Sequence, residues 1–229
     1  QQLYNAADAV IVGRFVGKEA LSAVGGGTGT LIQLLVGFFV GLSSGATVII
    51  SQYYGAKRSE MVGYAVHTSI ALALISGFAL GAAILAFSRG LLELMGCPEN
   101  VIEGAALYLK IYAVGLPASM IYNFGAAILR AVGDTRRPLY FLTVSGIVNI
   151  ILNVLLVAGL KLSVAGVAIA TVASEVLSCV LVLLCLIHSH DAIRYEPKKT
   201  HIYKKSLSMI LRIGLPAGLQ SSMFSISNV

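Results

Sequence analysis

The chain alternates between long apolar segments and short loops. Seven apolar segments stand out, near residues 3–16, 24–53, 64–87, 101–129, 139–160, 164–187 and 206–229. A helix needs about 20 apolar residues to cross the roughly 30 Å of hydrocarbon in a bilayer. The composition agrees, because 57% of the residues are hydrophobic and 11% are charged, whereas soluble domains carry about 25% charged residues. The pattern predicts an all-α, polytopic transmembrane helical bundle.

The two terminal segments differ from the five between them. Residue 1 is Gln, the first Met is Met61, and the last apolar run stops without a polar flank. We therefore expect an excerpt of a longer chain, with five complete spans and two partial ones.

The loops predict the orientation of the spans. Basic residues concentrate after the second, fourth and sixth segments, and these residues are Lys57, Arg58, Arg130, Arg136, Arg137, Arg194, Lys198, Lys199, Lys204 and Lys205. The other loops hold Arg14, Lys18, Arg89 and Lys161. Because Lys and Arg accumulate in cytoplasmic loops, the larger set predicts the cytoplasmic side. The net charge of +6 therefore reflects topology, and we expect no nucleic-acid partner.

Several small residues repeat inside the spans. Gly37, Gly41 and Gly45 recur every four residues, so they share one helix face. Small residues at this spacing let a neighbouring helix approach closely in lipid. We interpret these glycines as packing residues.

Asp8 is an ionisable residue within the first segment. It lies nine or ten residues before the outer end of that segment, or about 15 Å along a helix. A charge near the bilayer centre costs about 2.5–3.5 kcal/mol on insertion scales, so it normally faces a cavity or a partner. The alternative is a tilted or re-entrant segment in which Asp8 is solvated.

Three polar residues fall at comparable depths in later spans. Asn149 and Asn153 are four apart and share a helix face, while Thr171 lies about 10 Å below the outer end of the sixth segment. With Asp8 they form a set of hard oxygen donors, which suits Na⁺, Mg²⁺ or a proton. Plain interhelical hydrogen bonding is the alternative. Glu175, one turn beyond Thr171, is a further candidate acid for a cavity.

The sequence offers little support for catalysis. Cys97, Cys179 and Cys185 show no metal-binding spacing and indicate no disulfide framework. The sequence contains no HExxH motif and no paired-acid cluster. We therefore expect neither an enzyme nor a bound cofactor.

Several motifs occur in an order that is informative. Residues 4–8 (YNAAD), 12–17 (VGRFVG), 20–25 (ALSAVG), 50–57 (ISQYYGAK) and 129–138 (LRAVGDTRRP) together resemble the multidrug and toxic compound extrusion (MATE) family. The resemblance covers essentially the whole chain. It implies a twelve-helix transporter built from two six-helix lobes. Residues 214–228 resemble the start of its seventh helix.

The resemblance implies a domain division. Residues 1–187 would form the N-terminal six-helix lobe with a truncated first helix. Residues 188–205 would be the cytoplasmic linker between the lobes, and residues 206–229 would begin the second lobe. The whole protein would be a monomer in the cytoplasmic membrane of a bacterium.

The resemblance also implies a function. Members of the family export organic cations and other toxic compounds in exchange for Na⁺ or H⁺ by alternating access. In some members an N-lobe cation site matches, by position, Asp8, Asn149, Asn153 and Thr171, which would be the metal ligands if Na⁺ is the coupling ion. Asn153 departs from the family pattern, where an acid is expected, and this weakens Na⁺ binding and favours a proton. Glu175 replaces an expected glutamine and returns an acid to the cavity.

Three alternatives to an exporter remain open. A related flippase for lipid-linked saccharides would share the helical plan, but it would be expected to have a strongly basic central cavity. A membrane-embedded enzyme would need a reactive cluster of side chains. A channel subunit or a non-transporting structural lobe would need neither a basic cavity nor a reactive cluster of side chains. A flux assay with imposed pH or Na⁺ gradients separates these classes.

Overall fold

The computed structural model describes residues 10–14 and 16–227, without the side chains of residues 19, 27 and 224–227. Residues 10–14 are helical. A short helix, α1 (Lys18–Gly25), precedes six long ones, which are α2 (Gly27–Gly55), α3 (Ser59–Leu94), α4 (Glu99–Ala131), α5 (Arg136–Asn153), α6 (Ser163–Ile187) and α7 (Lys204–Ser227). A π-helical segment, Val154–Gly159, continues α5, and a 3₁₀ turn, Pro197–Lys199, precedes α7.

Five stretches of the described chain are long and apolar enough to cross a membrane. They are Ala20–Gly55, Ser59–Leu94, Glu99–Ala131, Arg136–Gly159 and Ser163–Ile187. The prediction of an all-α, multi-pass bundle is thereby confirmed. α4 is the most enclosed of the five, since 78% of its apolar window is buried.

The helices extend beyond the predicted apolar segments. α3 begins five residues before the predicted segment and ends seven residues after it. Apolar residues mark only the part of a helix that lies in hydrocarbon, whereas charged pairs continue it beyond. Arg89 and Glu93 form such a pair one turn apart, with a nitrogen–oxygen distance of 3.1 Å.

The chain divides into two compact units. The first comprises Gln1–Ile32, Phe78–Leu116 and Leu142–Leu177, and the second comprises Gln33–Gly77, Pro117–Phe141 and Ser178–Val229. In the first unit, glycines bring helices into close contact. A β-carbon added at Gly81 would lie 2.8 Å from the carbonyl oxygen of Ala113, and one at Gly104 would contact Val164.

Glycines also join α2 to α7 within the second unit. A β-carbon added at Gly41 would lie 2.5 Å from the carbonyl oxygen of Ala217, and one at Gly218 would lie 2.7 Å from that of Phe38. Gly45 approaches Gly214 in the same way. The packing role predicted for the glycine repeat of α2 is therefore confirmed at Gly41 and Gly45.

The π-helical segment that follows Asn153 was not predicted from the sequence. Its wider turn is visible in the hydrogen bond from the Leu160 N–H to the carbonyl oxygen of Leu155 at 3.0 Å. The next bond, from the Leu162 N–H to the Leu156 oxygen at 3.0 Å, closes the turn that leads into α6. Short π segments that interrupt α-helices are frequently found at functional sites.

Residues 188–203 connect α6 to α7 and are non-helical apart from the 3₁₀ turn. The segment lies within residues 188–205, which the sequence predicts to be a linker, and it is packed rather than extended into solvent. Ile193 and Tyr195 are 3% and 6% exposed. The Tyr195 N–H donates to the carbonyl oxygen of Leu186 at 3.0 Å, which ties the linker to the end of α6.

Candidate functional site

Two asparagines form the centre of the candidate site. Asn149 and Asn153 lie one turn apart on α5, and neither has any exposed surface. The side-chain amide of Asn153 donates a hydrogen bond to the Asn149 side-chain oxygen at 3.2 Å. The four-residue spacing therefore brings these two predicted site residues into direct contact, just before the π segment begins.

Asn149 has a further polar atom available. Among the described residues, its amide nitrogen Nδ2 is buried without a hydrogen-bond acceptor. A buried donor left in this state costs about 1–3 kcal/mol, so natural proteins normally satisfy it. The acceptor that suits it best is an anionic oxygen. Asp8, the predicted carboxylate of the site, lies outside the described residues.

Thr171 occupies the third turn of the neighbouring helix, α6. It is 6% exposed, and its hydroxyl donates to the carbonyl oxygen of Val167 at 3.0 Å. Ser174 donates in the same way to the carbonyl oxygen of Thr171 at 2.7 Å. The hydroxyl proton of Thr171 points to its own helix, and a hydroxyl oxygen can also accept a hydrogen bond or coordinate a cation.

The start of α6 packs closely on the π segment. A β-carbon added at Gly166 would lie 3.3 Å from the carbonyl carbon of Leu156. Gly166 therefore allows the helix that carries Thr171 to approach the end of the helix that carries the asparagines. The first unit thus contains Asn149, Asn153 and Thr171 on two adjoining elements.

Glu175 lies one turn after Thr171 on α6 and contacts α4. A β-carbon added at Gly115 would lie 2.9 Å from its carboxylate oxygen Oε2 and 2.8 Å from a methyl carbon of Val172. The Glu175 oxygen is buried, and a side chain at position 115 would require Glu175 and Val172 to shift. The acid expected from the sequence is therefore within the helical bundle.

Sequence reasoning overlooked Lys110. This lysine lies in the third turn of α4, and its side chain is exposed. It lines a groove of about 380 Å³ with Ile111, Val114, Ile169, Val172 and Ala173. A basic residue eleven positions inside an apolar helix was the signal that the count of loop charges missed, since an ionisable residue within a span is a functional candidate by default.

Comparison with known proteins identifies the family. The family model MatE matches residues 1–155. The chain belongs to the MatE family. The probable multidrug resistance protein YoeA of Bacillus subtilis (strain 168) is 33% identical over 226 residues, which cover 95% of this chain and 48% of YoeA.

Solved structures of MATE proteins have the same fold. A crystal structure of MATE in the bent conformation superposes with a TM-score of 0.92 at 28% identity, covering 99% of this chain and 50% of that one. An inward-facing multidrug resistance MATE transporter of the MOP superfamily gives a TM-score of 0.91 at 27% identity, covering 98% and 51%. The chain therefore spans about half the length of the relatives it matches.

The family relationship establishes the general class of the protein. It is a multi-pass membrane protein of the MATE multidrug efflux transporter family, with bacterial relatives. Its family and structural neighbours are transporters and not enzymes.

Proposed function

We propose that the whole protein is a secondary active exporter that moves organic cations outward in exchange for H⁺ or Na⁺. The names of the relatives support multidrug substrates. The observation that carries the ion coupling is the buried pair Asn149–Asn153, joined side chain to side chain at 3.2 Å within a candidate span. Polar groups inside a membrane are costly and are retained mainly for function.

The coupling site consists of Asp8, Asn149, Asn153 and Thr171. Asp8 supplies the carboxylate, the asparagines supply amide oxygens, and Thr171 supplies a hydroxyl oxygen. The unsatisfied amide nitrogen of Asn149 supports this arrangement, because it can donate to the Asp8 carboxylate. If Na⁺ couples transport, the same four residues are its ligands.

A proton is the coupling ion that this set favours. Asp8 is the one carboxylate among the four residues, and a single negative charge holds Na⁺ less firmly than two. The carboxyl group of Glu175, one turn after Thr171 on α6, adds an acid to the same helix. Ion binding and drug binding then oppose each other by favouring different states of the transporter.

The test uses the full-length protein in proteoliposomes, with an organic cation such as ethidium as the probe. Export against the cation gradient is expected when a pH gradient is imposed, and the Asp8→Asn variant is expected to lose it at unchanged expression. Asp191→Asn, which alters an exposed carboxylate in the linker, is the matched control and is expected to behave as the wild type.

Each result separates the competing explanations. Flux driven only by a Na⁺ gradient would show that the coupling ion is Na⁺ instead of H⁺, and the antiport mechanism would stand. Flux that ignores both gradients would exclude secondary active export. Retained pH-driven flux in Asp8→Asn would remove Asp8 from the coupling site.

A further inference from the structure

The cytoplasmic end of α3 holds the linker through a histidine. His67 is 8% exposed. Its ring nitrogen Nδ1 lies 2.7 Å from the carbonyl oxygen of Gly63, one turn earlier on α3. On the other side of the ring, Nε2 accepts a hydrogen bond from the backbone N–H of Glu196 at 3.2 Å. His67 thus connects residues that are 129 positions apart.

These two neighbours determine the protonation state of His67. A carbonyl oxygen only accepts hydrogen bonds, so Nδ1 must carry the proton. A backbone N–H only donates, so Nε2 must present its lone pair. The docked imidazole is therefore neutral. A second proton on Nε2 would point at the Glu196 N–H. Two donors would then face each other, and the hydrogen bond to the linker would be lost.

A second anchor beside His67 does not titrate. The Thr68 hydroxyl oxygen accepts a hydrogen bond from the Tyr203 N–H at 3.1 Å and donates its own proton to the carbonyl oxygen of Tyr64 at 2.7 Å. The rings of Tyr64 and Tyr203 stack with centroids 4.1 Å apart. Between the two anchors, the ring of Tyr195 packs on His67 at 5.4 Å.

The other titratable groups near His67 come from both elements. On α3, the Tyr64 hydroxyl donates to the Glu60 carboxylate. On the linker side, Tyr195 and Glu196 contact His67 directly, and the charges of Lys199 and Arg194 act on the Glu196 carboxylate. His201 is exposed and lies against the ring of Tyr203 at 5.3 Å.

The Glu196 carboxylate would attract a doubly protonated His67 and so oppose the release of the linker, but only weakly. Its hydrogen bond and ion pair with Lys199, at 2.8 Å, hold the pKa of Glu196 below its usual value of 4.5. The carboxylate therefore stays ionised wherever a histidine titrates, and Lys199 compensates its charge. The Glu196–Lys199 pair stops stabilising the linker only below pH 4.5. Loss of this pair therefore cannot account for a change in linker protection at higher pH.

We propose that His67 is a proton-sensitive anchor, which holds the linker while it is neutral and releases residues 193–203 when it takes up a second proton. Cytoplasmic acidification is the trigger, because a second proton takes the lone pair of Nε2 that accepts from the Glu196 N–H. α7 begins at Lys204, directly after the segment released. The proton thus controls how firmly the first turn of α7 is held, independently of the ion site of the first unit.

The test measures amide hydrogen exchange of residues 193–203 in the full-length protein between pH 8 and pH 5.5, corrected for the intrinsic pH dependence of exchange. Protection in the wild type is expected to fall about five- to tenfold, the worth of one hydrogen bond. His67→Gln can accept from the Glu196 N–H without titrating, so its protection is expected to be independent of pH. His67→Ala is expected to show low protection throughout.

His188 provides a matched control. Its Nδ1 also lies close to the carbonyl oxygen one turn earlier, 2.9 Å from that of Leu184, but the residue is exposed. His188→Gln is expected to keep the wild-type pH response. Wild-type protection that stays constant from pH 8 to pH 5.5 would overturn the proposal. The same holds if His67→Gln responds to pH as the wild type does, because His201 or another group would then be the sensor.

Discussion

At the scale of single residues, the main question is whether the buried amides bind an ion or only join helices. The Asn149–Asn153 bond lies within one helix, so it contributes nothing to interhelical association by itself. Even side-chain hydrogen bonds between transmembrane helices are worth only about 0.6 kcal/mol on average. A purely structural role of the asparagines would therefore have only a small effect when removed, whereas a role in transport would have a large effect on flux.

Asn149→Ala is expected to reduce gradient-driven transport by the full-length protein at least about tenfold, because it removes both the acceptor for Asn153 and the donor for Asp8. The measurement is initial flux in proteoliposomes. Asn123→Ala is the control, since Asn123 is also buried and its side chain donates to its own helix, to the Ser119 oxygen at 2.9 Å. Equal flux in the two variants would indicate that Asn149 serves packing alone.

The sequence was sufficient to predict site residues that are related by helical periodicity. Asn149 and Asn153 are four apart, and helical spacing alone places them on one face, as the structure has them. His67 could not be found in this way, because its partner is a backbone N–H 129 residues away. Only the folded linker shows that this histidine has a hydrogen-bond partner outside its own helix.

At the scale of elements, the glycine repeat of α2 predicted that another helix approaches it closely. The structure shows that this helix is α7. Each helix presents glycines at i and i+4 to the backbone of the other, and the carbonyl oxygens of Phe38 and Ala217 lie where side chains would otherwise stand. The sequence predicted the repeat on α2, but its partner helix follows from tertiary packing and could not be read from spacing.

Gly41→Ala is expected to destabilise the protein by about 1–3 kcal/mol, because the added methyl group requires the backbones of α2 and α7 to separate. Gly63→Ala on α3 is the control. It meets nothing within 4 Å, and alanine is favoured over glycine in a helix by about 1 kcal/mol. Thermal unfolding in detergent should lower the midpoint for the first variant and keep or raise it for the second. The reverse order would contradict the packing described.

At the scale of the whole molecule, the charges follow the division into two units. The second unit contains eleven Lys and Arg residues against four Asp and Glu, whereas the first contains five against six. All three loops predicted to be cytoplasmic belong to the second unit. The contacts of the fold and the charges of the sequence therefore separate the loops into the same two groups.

The predicted orientation can be tested at Cys97, which is partly exposed in the loop between α3 and α4. In a full-length variant with Cys97 as the sole cysteine, an impermeant maleimide is expected to label intact cells. Thr135→Cys, placed in the α4–α5 loop of a cysteine-free background, is expected to react only after permeabilisation. Labelling in the opposite order would reverse the topology inferred from the positive charges.

The π segment after Asn153 makes the chain sensitive to changes in length. Each of its hydrogen-bonded rings encloses one residue more than an α-helical ring, so deletion of one residue from Val154–Gly159 could restore an ordinary α-helix. The turn into α6 would then rotate by about 100° and shift by about 1.5 Å relative to Asn149. An insertion or deletion here would reposition the helix of Thr171 against the asparagines while leaving every site residue unchanged in identity.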